Sequence, residues 1–320
     1  MPAPVPVSEH DILVFRGSAS PRLTAAICER LGVAMGESEV IRFSEGNLFV
    51  RVLQNVRGRD VFLVQSTVFP ANDQFMELLF WIDAFKRASA ASVTVIMPYF
   101  SYAKGDKKDE PRVSIRARVC ADALQVAGVD RIVTVDLHAP QIQGFFTVPV
   151  DDLQALPVLV EAVRTLALPE PVVVAPDQGF AKPAARFAER LGAPLAIGYK
   201  RRTGHDEQAE VVEVIGEVGG RSCVIVDDFV ISGSTLIEVG RLLYERGAAA
   251  IVAAVTHGVF SRGSVELLDK SRIARLFVTD TIENQPVELS PKIQVVSIAP
   301  LLAEAIRRIQ HRESISVLFS

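Results

Sequence analysis

The stretch Cys223–Thr235 carries the densest chemistry in the chain. An apolar run ends on two adjacent carboxylates, Asp227 and Asp228, and Phe229, Val230, Ile231, Ser232, Gly233, Ser234 and Thr235 follow. Leu236, Ile237 and Glu238 continue with helical character. A strand that delivers carboxylates at its C-terminal end puts them where open α/β sheets bind ligands. Small hydroxyl residues and a glycine before a helix start offer backbone N–H groups, three hydroxyls and a positive dipole end to a phosphate. Adjacent carboxylates suit ribose hydroxyls, which can donate to both. Taken alone, Ser-Gly-Ser-Thr is as well explained by a surface turn with a helix cap. The strand and the Asp-Asp pair before it tip the reading toward a sugar-phosphate loop.

Two basic clusters could face anions. Six basic residues against three acidic ones lie between Lys104 and Arg118, in a chain of net charge −4. A charge run of this kind is ordinarily a solvated face. Lys200-Arg201-Arg202 closes the run Leu195–Tyr199. Histidines at strand ends are usually structural, which is the reading for His10, His205 and His311. His257, after an apolar run, stands ambiguous.

Positioning these residues takes a regular scaffold. Short β-rich runs recur at Asp11–Phe15, Val61–Val64, Val93–Met97, Ile132–Val135, Val172–Ala175, Cys223–Val226, Ile251–Val255 and Leu276–Val278. Most are apolar on both alternating faces, as strands covered by helices on both sides must be. Between them, Leu23–Leu31, Ile115–Ala127, Ala184–Leu191 and Leu236–Arg246 have helical spacing and stop at Gly32, Gly128, Gly192 and Gly247. Alternating strands and helices predict crossover connections and mostly parallel sheets.

With 320 residues the chain is about twice the usual domain size. A helix ending in Leu-Gly before small residues occurs twice, at Leu31-Gly32 and Leu191-Gly192. Both points predict two similar α/β domains, over residues 9–152 and 153–305, with a tail over 306–320. A composition of 49% hydrophobic and 22% charged residues argues against disorder. The net charge of −4 disfavours a nucleic-acid partner. Cys28, Cys120 and Cys223 are too few and too scattered for a disulfide framework, and a reduced cytoplasm is expected. Apolar runs are short and broken by charge, so no membrane span is expected.

The Asp-Asp loop resembles the phosphoribosyl-diphosphate loop of the type I phosphoribosyltransferase fold. Asp136-Leu137-His138-Ala139-Pro140-Gln141-Ile142-Gln143-Gly144-Phe145-Phe146 through Asp151 is similar to the signature of ribose-phosphate pyrophosphokinases. Arg42-Phe43-Ser44-Glu45-Gly46, Asn55-Val56-Arg57-Gly58, Pro98-Tyr99-Phe100-Ser101-Tyr102-Ala103, Thr256-His257-Gly258-Val259 and Ser297-Ile298-Ala299-Pro300-Leu301-Leu302 extend the resemblance from about Asp11 to Leu302. It implies two mostly parallel sheets flanked by helices. It also implies transfer of the diphosphoryl group of ATP to ribose 5-phosphate, giving phosphoribosyl diphosphate and AMP.

Roles follow from the resemblance, residue by residue. Phe43 stacks on adenine, with Glu45, Gly46 and Asn47 nearby. Lys104, Gly105, Lys107, Lys108 and Asp109 belong to a lid over the ATP phosphates. Lys200 stabilises the transition state and Arg202 contacts the sugar phosphate. Asp227, Asp228, Ile231, Ser232, Gly233, Ser234 and Thr235 hold ribose 5-phosphate. His138 and Asp177 approach magnesium, with Asp136 in support. Imidazole is an unusual magnesium ligand, so this assignment rests on the resemblance alone. A homo-oligomer, a hexamer built from dimers, is implied as well.

Four places depart from the commonest family pattern. The lid begins Lys104-Gly105 where Arg-Gln is usual, which keeps the charge but loses the planar two-donor fork. Glu45 and Asn47 replace an aspartate and a glutamate. The Asp-x-Gly-Gly loop is Asp177-Gln178-Gly179-Phe180. Ile231 replaces a third carboxylate, and the usual Thr-x-Gly-Thr has become Ser232-Gly233-Ser234-Thr235. These changes sustain an alternative, a non-catalytic member that regulates an active synthetase. A phosphoribosyltransferase that consumes the diphosphate is a third reading, which the His138 signature disfavours.

Overall fold

The β-rich runs pair as parallel strands in the computed structural model, which describes residues 12–201, 210–283 and 285–319. In chain order the elements are β1 (Ile12–Arg16), α1 (Pro21–Leu31), β2 (Ser38–Arg42), β3 (Leu48–Val52), β4 (Asp60–Val64), α2 (Ala71–Arg87), β5 (Ser92–Met97), α3 (Arg116–Ala127), β6 (Arg131–Val135) and β7 (Val150–Leu153). They continue with α4 (Leu156–Arg164), β8 (Pro171–Ala175), α5 (Ala181–Leu191), β9 (Leu195–Arg201), β10 (Glu210–Ile215), β11 (Ser222–Val230), α6 (Ser234–Glu245), β12 (Ala250–Gly258), α7 (Ser264–Lys270), β13 (Arg275–Thr279), β14 (Ile293–Val296) and α8 (Ala299–Gln310).

Two compact units result. One holds the described residues 12–154, 281–283 and 298–319, and the other holds 155–201, 210–280 and 285–297. The sequence places residues 153–305 in a single domain and 306–320 in a tail. Helix α8 instead belongs to the first unit, because its apolar stripe, with Leu302 and Ile306 fully buried, packs beside α1. Glu283 joins that unit too. Its carboxylate accepts from the Arg22 and Leu23 N–H groups at 2.9 and 3.0 Å, capping α1 where Ser20 makes no side-chain cap.

The first unit is built on a five-stranded parallel sheet of order β1-β4-β5-β6-β7, with β2 and β3 as a separate antiparallel hairpin. Phe15, Trp81 and Phe85 anchor its core, with ring centroids 4.8 Å (Phe15–Phe85) and 5.6 Å (Trp81–Phe85) apart. The second unit carries seven strands in the order β10-β9-β8-β11-β12-β13-β14, parallel except for β10 at the edge. Its core holds Val174, Ile225, Val255, Leu236 and Phe260.

The glycine stops occur where the spacing predicts them. Helices α1, α3 and α5 end on Gly32, Gly128 and Gly192, all in the left-handed region. The edge strand β10 has no counterpart among the predicted runs, nor have the hairpin strands, β7 and β14. The hairpin strands and β14 are half-exposed and mixed in character, such as Ser-Glu-Val-Ile-Arg in β2, so they lack the continuous apolar signal of a covered strand.

Candidate functional site

In the second unit, β8 is followed by β9 on one side and neighbours β11 on the other, so the order of connection reverses between β8 and β11. Such a reversal opens a crevice beyond the carboxyl ends of the strands. Asp177 lies just past β8, and Asp227 and Asp228 lie in the C-terminal half of β11, which runs on to Val230. A Cβ on Gly198 of β9 would fall 2.5 Å from the Pro176 carbonyl oxygen, so only glycine lets the strand pass this close to the segment that presents Asp177. Asp177 Oδ1 accepts from the Phe180 N–H at 3.2 Å and fixes the following turn.

The three carboxylates share one electrostatic neighbourhood. Burial pushes the Asp227 carboxyl well above the usual range; the charges of Asp228 and Asp177 push the same way, and the Asp228 N–H opposes them. That N–H donates to Asp227 Oδ1 at 3.0 Å. Past the strand, Ser232 Oγ and Ser234 Oγ lie 2.9 Å apart, and Gly233 caps α6 at φ +79. Ser232 and Ser234 are exposed, Thr235 is half-buried, and the N-terminus of α6 opens beside them. Ile231 is half-buried, and its carbonyl accepts from Ser261 N and Oγ at 2.9 and 3.3 Å. Ser261 thus braces the loop, a role with no signal in the motif itself.

In the first unit the neighbouring strands β5 and β6 deliver the other candidates. Lys104 and Gly105 end a 3-10 turn, Ser101–Gly105, that follows β5. Lys104, Lys107, Lys108 and Asp109 are exposed, and Gly105 is buried. Asp136 and His138 follow β6. Asp136 stands at φ +44, and the exposed His138 leads into the turn Pro140–Phe145. The structure adds Asp152 on β7, which the sequence reading missed. Its Oδ1 accepts from the Leu137 N–H at 3.0 Å, and burial lifts its carboxyl to about 7, with Asp136 adding to the rise. Only the pairing of β6 with β7 brings it there.

The tip of the β2–β3 hairpin carries the remaining group. Phe43 is 44% exposed, and its ring centroid is 6.1 Å from that of Phe49. Asn47 Nδ2 donates to Glu45 Oε1 at 3.3 Å, and Gly46 turns at φ +94. Phe49 is another missed residue, with only its alternation along β3 to signal it. An exposed aromatic pair at a turn offers a face for a planar ligand.

Lys200 lies on β9 opposite Val211. Its side chain and all of Arg202 fall outside the described residues. Among the described residues, no group of three or more His, Cys, Asp and Glu side chains could hold a metal ion. Nor is any helix among them long and apolar enough to cross a membrane.

Comparison with known proteins gives a consistent result. The profile of the N-terminal domain of ribose phosphate pyrophosphokinase matches residues 12–128, and that of the phosphoribosyl synthetase-associated domain matches residues 203–320. The chain is 45% identical over 317 residues to a ribose-phosphate pyrophosphokinase of Burkholderia pseudomallei, covering 98% of this chain and 99% of the other. It is 45% identical over 312 residues to one from Caldanaerobacter subterraneus, covering 97% and 98%. Among solved structures, phosphoribosylpyrophosphate synthetase from Mycobacterium smegmatis matches with a TM-score of 0.88 and 39% identity, over 94% of this chain and 99% of that one.

Proposed function

The chain belongs to the ribose-phosphate pyrophosphokinase family, and we propose that the residues assembled at its two sets of strand ends carry that family's reaction. It is a ribose-phosphate diphosphokinase: the anomeric hydroxyl oxygen of ribose 5-phosphate bonds to the β-phosphorus of ATP, the bond from that phosphorus to the α-phosphate bridge breaks, and AMP leaves. The comparisons support this catalytic reading and not the regulatory alternative. The observation that carries the assignment of residues is the switch point between β8 and β11, with Asp177, Asp227, Asp228 and the Ser232–Thr235 loop around it.

On this reading ribose 5-phosphate is held by the second unit. Asp227 and Asp228 accept from its ring hydroxyls, and Ser232, Gly233, Ser234 and Thr235 donate to its phosphate, assisted by Arg202. ATP is held by the first unit. Phe43 stacks on the adenine beside Glu45, Gly46 and Asn47, while Lys104, Lys107 and Lys108 neutralise the triphosphate, with Gly105 and Asp109 in the same lid. Lys200 supports the charge that develops at the phosphorus under attack.

The donor set fits a magnesium ion that enters with the nucleotide. Magnesium is generally bound through one or two carboxylates together with substrate phosphates, not by an all-protein cage. Burial first, and then the charges of Asp228 and Asp177, raise the Asp227 carboxyl, and a divalent cation relieves both. His138 and Asp177 are its proposed protein contacts, with Asp136 in support. Held there, it would supply positive charge to neutralise the transferred group.

Cytoplasmic location fits three free cysteines, all buried, whose thiols burial pushes up to about 11. A homo-oligomer, a hexamer built from dimers by family resemblance, is part of the same proposal; light scattering of the purified chain tests it. The central experiment measures AMP formed from ATP. Formation that depends strictly on ribose 5-phosphate and magnesium is the expected result. No AMP under any metal or phosphate condition would overturn the catalytic assignment.

A further inference from the structure

We infer that Arg116, at the start of α3, is a phosphate-contacting group of the ATP lid and that Gly105 exists to make room for it. The inference rests on the lid reading of Lys104 and Gly105 given above. Gly105 is not among the glycines at positive φ, so its backbone does not call for glycine. Space does. A Cβ at position 105 would fall 2.6 Å from Arg116 Nε and 2.9 Å from Arg116 Cβ. The second contact is to the base of the side chain, so rotating the guanidinium away would not relieve it. Arg116 therefore lies across the peptide that follows Lys104, covering the buried Gly105 while remaining exposed itself.

Among the described residues no carboxylate accounts for an arginine there; its charge acts only on the hydroxyl of Tyr102, a neutral group. Among the described residues Arg116 makes no hydrogen bond or ion pair, whereas Arg118, two positions on, is bound to Asp122 at 2.9 Å. Arg116 is the first residue of α3, and the first turn of that helix has no acidic side chain. A cation at this end opposes the helix dipole. Its hydrophobic stem covers one glycine, which alanine at either position would do more simply. An unpaired planar cation held beside Lys104, in a loop with Lys107 and Lys108, matches an anion with paired oxygens. The lysine at 104 brings charge without the two-donor fork, and Arg116 brings the fork. On this account residues 105 and 116 function as a unit: any side chain at 105 displaces the guanidinium.

Binding of magnesium-ATP to the purified chain, without ribose 5-phosphate, tests this by calorimetry. Arg116→Ala should raise the ATP dissociation constant about 10- to 100-fold, the scale of a charge-assisted hydrogen bond. The Michaelis constant for ribose 5-phosphate should stay unchanged, and the melting temperature should not fall, since a cation leaves the helix start. Arg116→Lys should recover only part of the affinity. Gly105→Ala should weaken ATP binding by itself and add little in the Arg116→Ala background. If Arg116→Ala binds ATP within about twofold of the unaltered chain while Lys104→Ala binds poorly, Arg116 is not a phosphate contact and the lid stands. If neither change affects ATP affinity, the lid reading fails, and the role of Arg116 fails with it.

Discussion

Asp152 Oδ1 accepts the Leu137 N–H at 3.0 Å, which ties the middle of β7 to the turn between Asp136 and His138. Burial, the larger cause, lifts this carboxyl to about 7; the Leu137 hydrogen bond opposes the rise and the Asp136 charge adds to it. In the unfolded chain an aspartate titrates near about 4. Between those values the folded chain binds more protons than the unfolded one. Stability contributed by this site is therefore full below about 4, falls as pH rises toward about 7, and is level above. Asp152→Asn keeps the accepting oxygen and removes the charge. In metal-free melts the unaltered chain should lose more melting temperature between pH 5 and pH 8 than the variant. Equal losses would show that Asp152 does not carry the proton.

Lys104 ends the 3-10 turn after β5 and is exposed. If it neutralises charge that develops during transfer, Lys104→Ala should lower turnover much more than it raises the Michaelis constant for ribose 5-phosphate. Loss of one donor of this type costs roughly 3 kcal/mol, or about a hundredfold in rate. Steady-state kinetics decide it, and an unchanged rate removes Lys104 from the mechanism.

The parts of the fold and site legible in the sequence were those with a continuous local signal. Covered strands such as Val61–Val64 and Val172–Ala175 read directly, because burial on both faces leaves no polar position. Asp227 and Asp228 read through their place at such a strand's end. Asp152 was not legible, since its neighbourhood depends on β7 lying beside β6 rather than on any residue near it in sequence. Arg116 looked like one charge in a solvated run until its distance to Gly105 set it apart. The place of helix α8 is hidden in the sequence for the same reason: its stripe shows that it packs, but not that α1 is its partner.

His138 and Asp177 sit on different units, and the metal assignment treats them alike. His138→Ala and Asp177→Ala should each raise the magnesium concentration needed for half-maximal activity, while Lys200→Ala should not. Turnover should fall steeply in all three. Magnesium titrations of AMP formation check this, and unaltered dependence in the first two variants would remove both residues from the metal site.

Ile231 stands where a third carboxylate would be expected, and two outcomes are open to Ile231→Asp on sequence grounds. A carboxylate there could accept a sugar hydroxyl, or it could be buried without a partner and destabilise the fold. The structure favours the first. Ile231 is half-buried, its carbonyl is already held by Ser261, and the core residues on either side of it are Val230 and Leu236. The loop backbone thus keeps its brace whatever side chain occupies position 231, and the side chain retains access to water. Ile231→Asp should leave the melting temperature nearly unchanged. In saturating magnesium it should lower the Michaelis constant for ribose 5-phosphate by no more than one charge-assisted hydrogen bond allows, about 1.5–3 kcal/mol. A fall in melting temperature with no gain in sugar-phosphate affinity would mean that the loop has repacked around isoleucine. A variant unchanged in both measurements would show that position 231 touches neither the sugar nor the core, and the alignment of this loop with the phosphoribosyl-diphosphate loop would have to be given up.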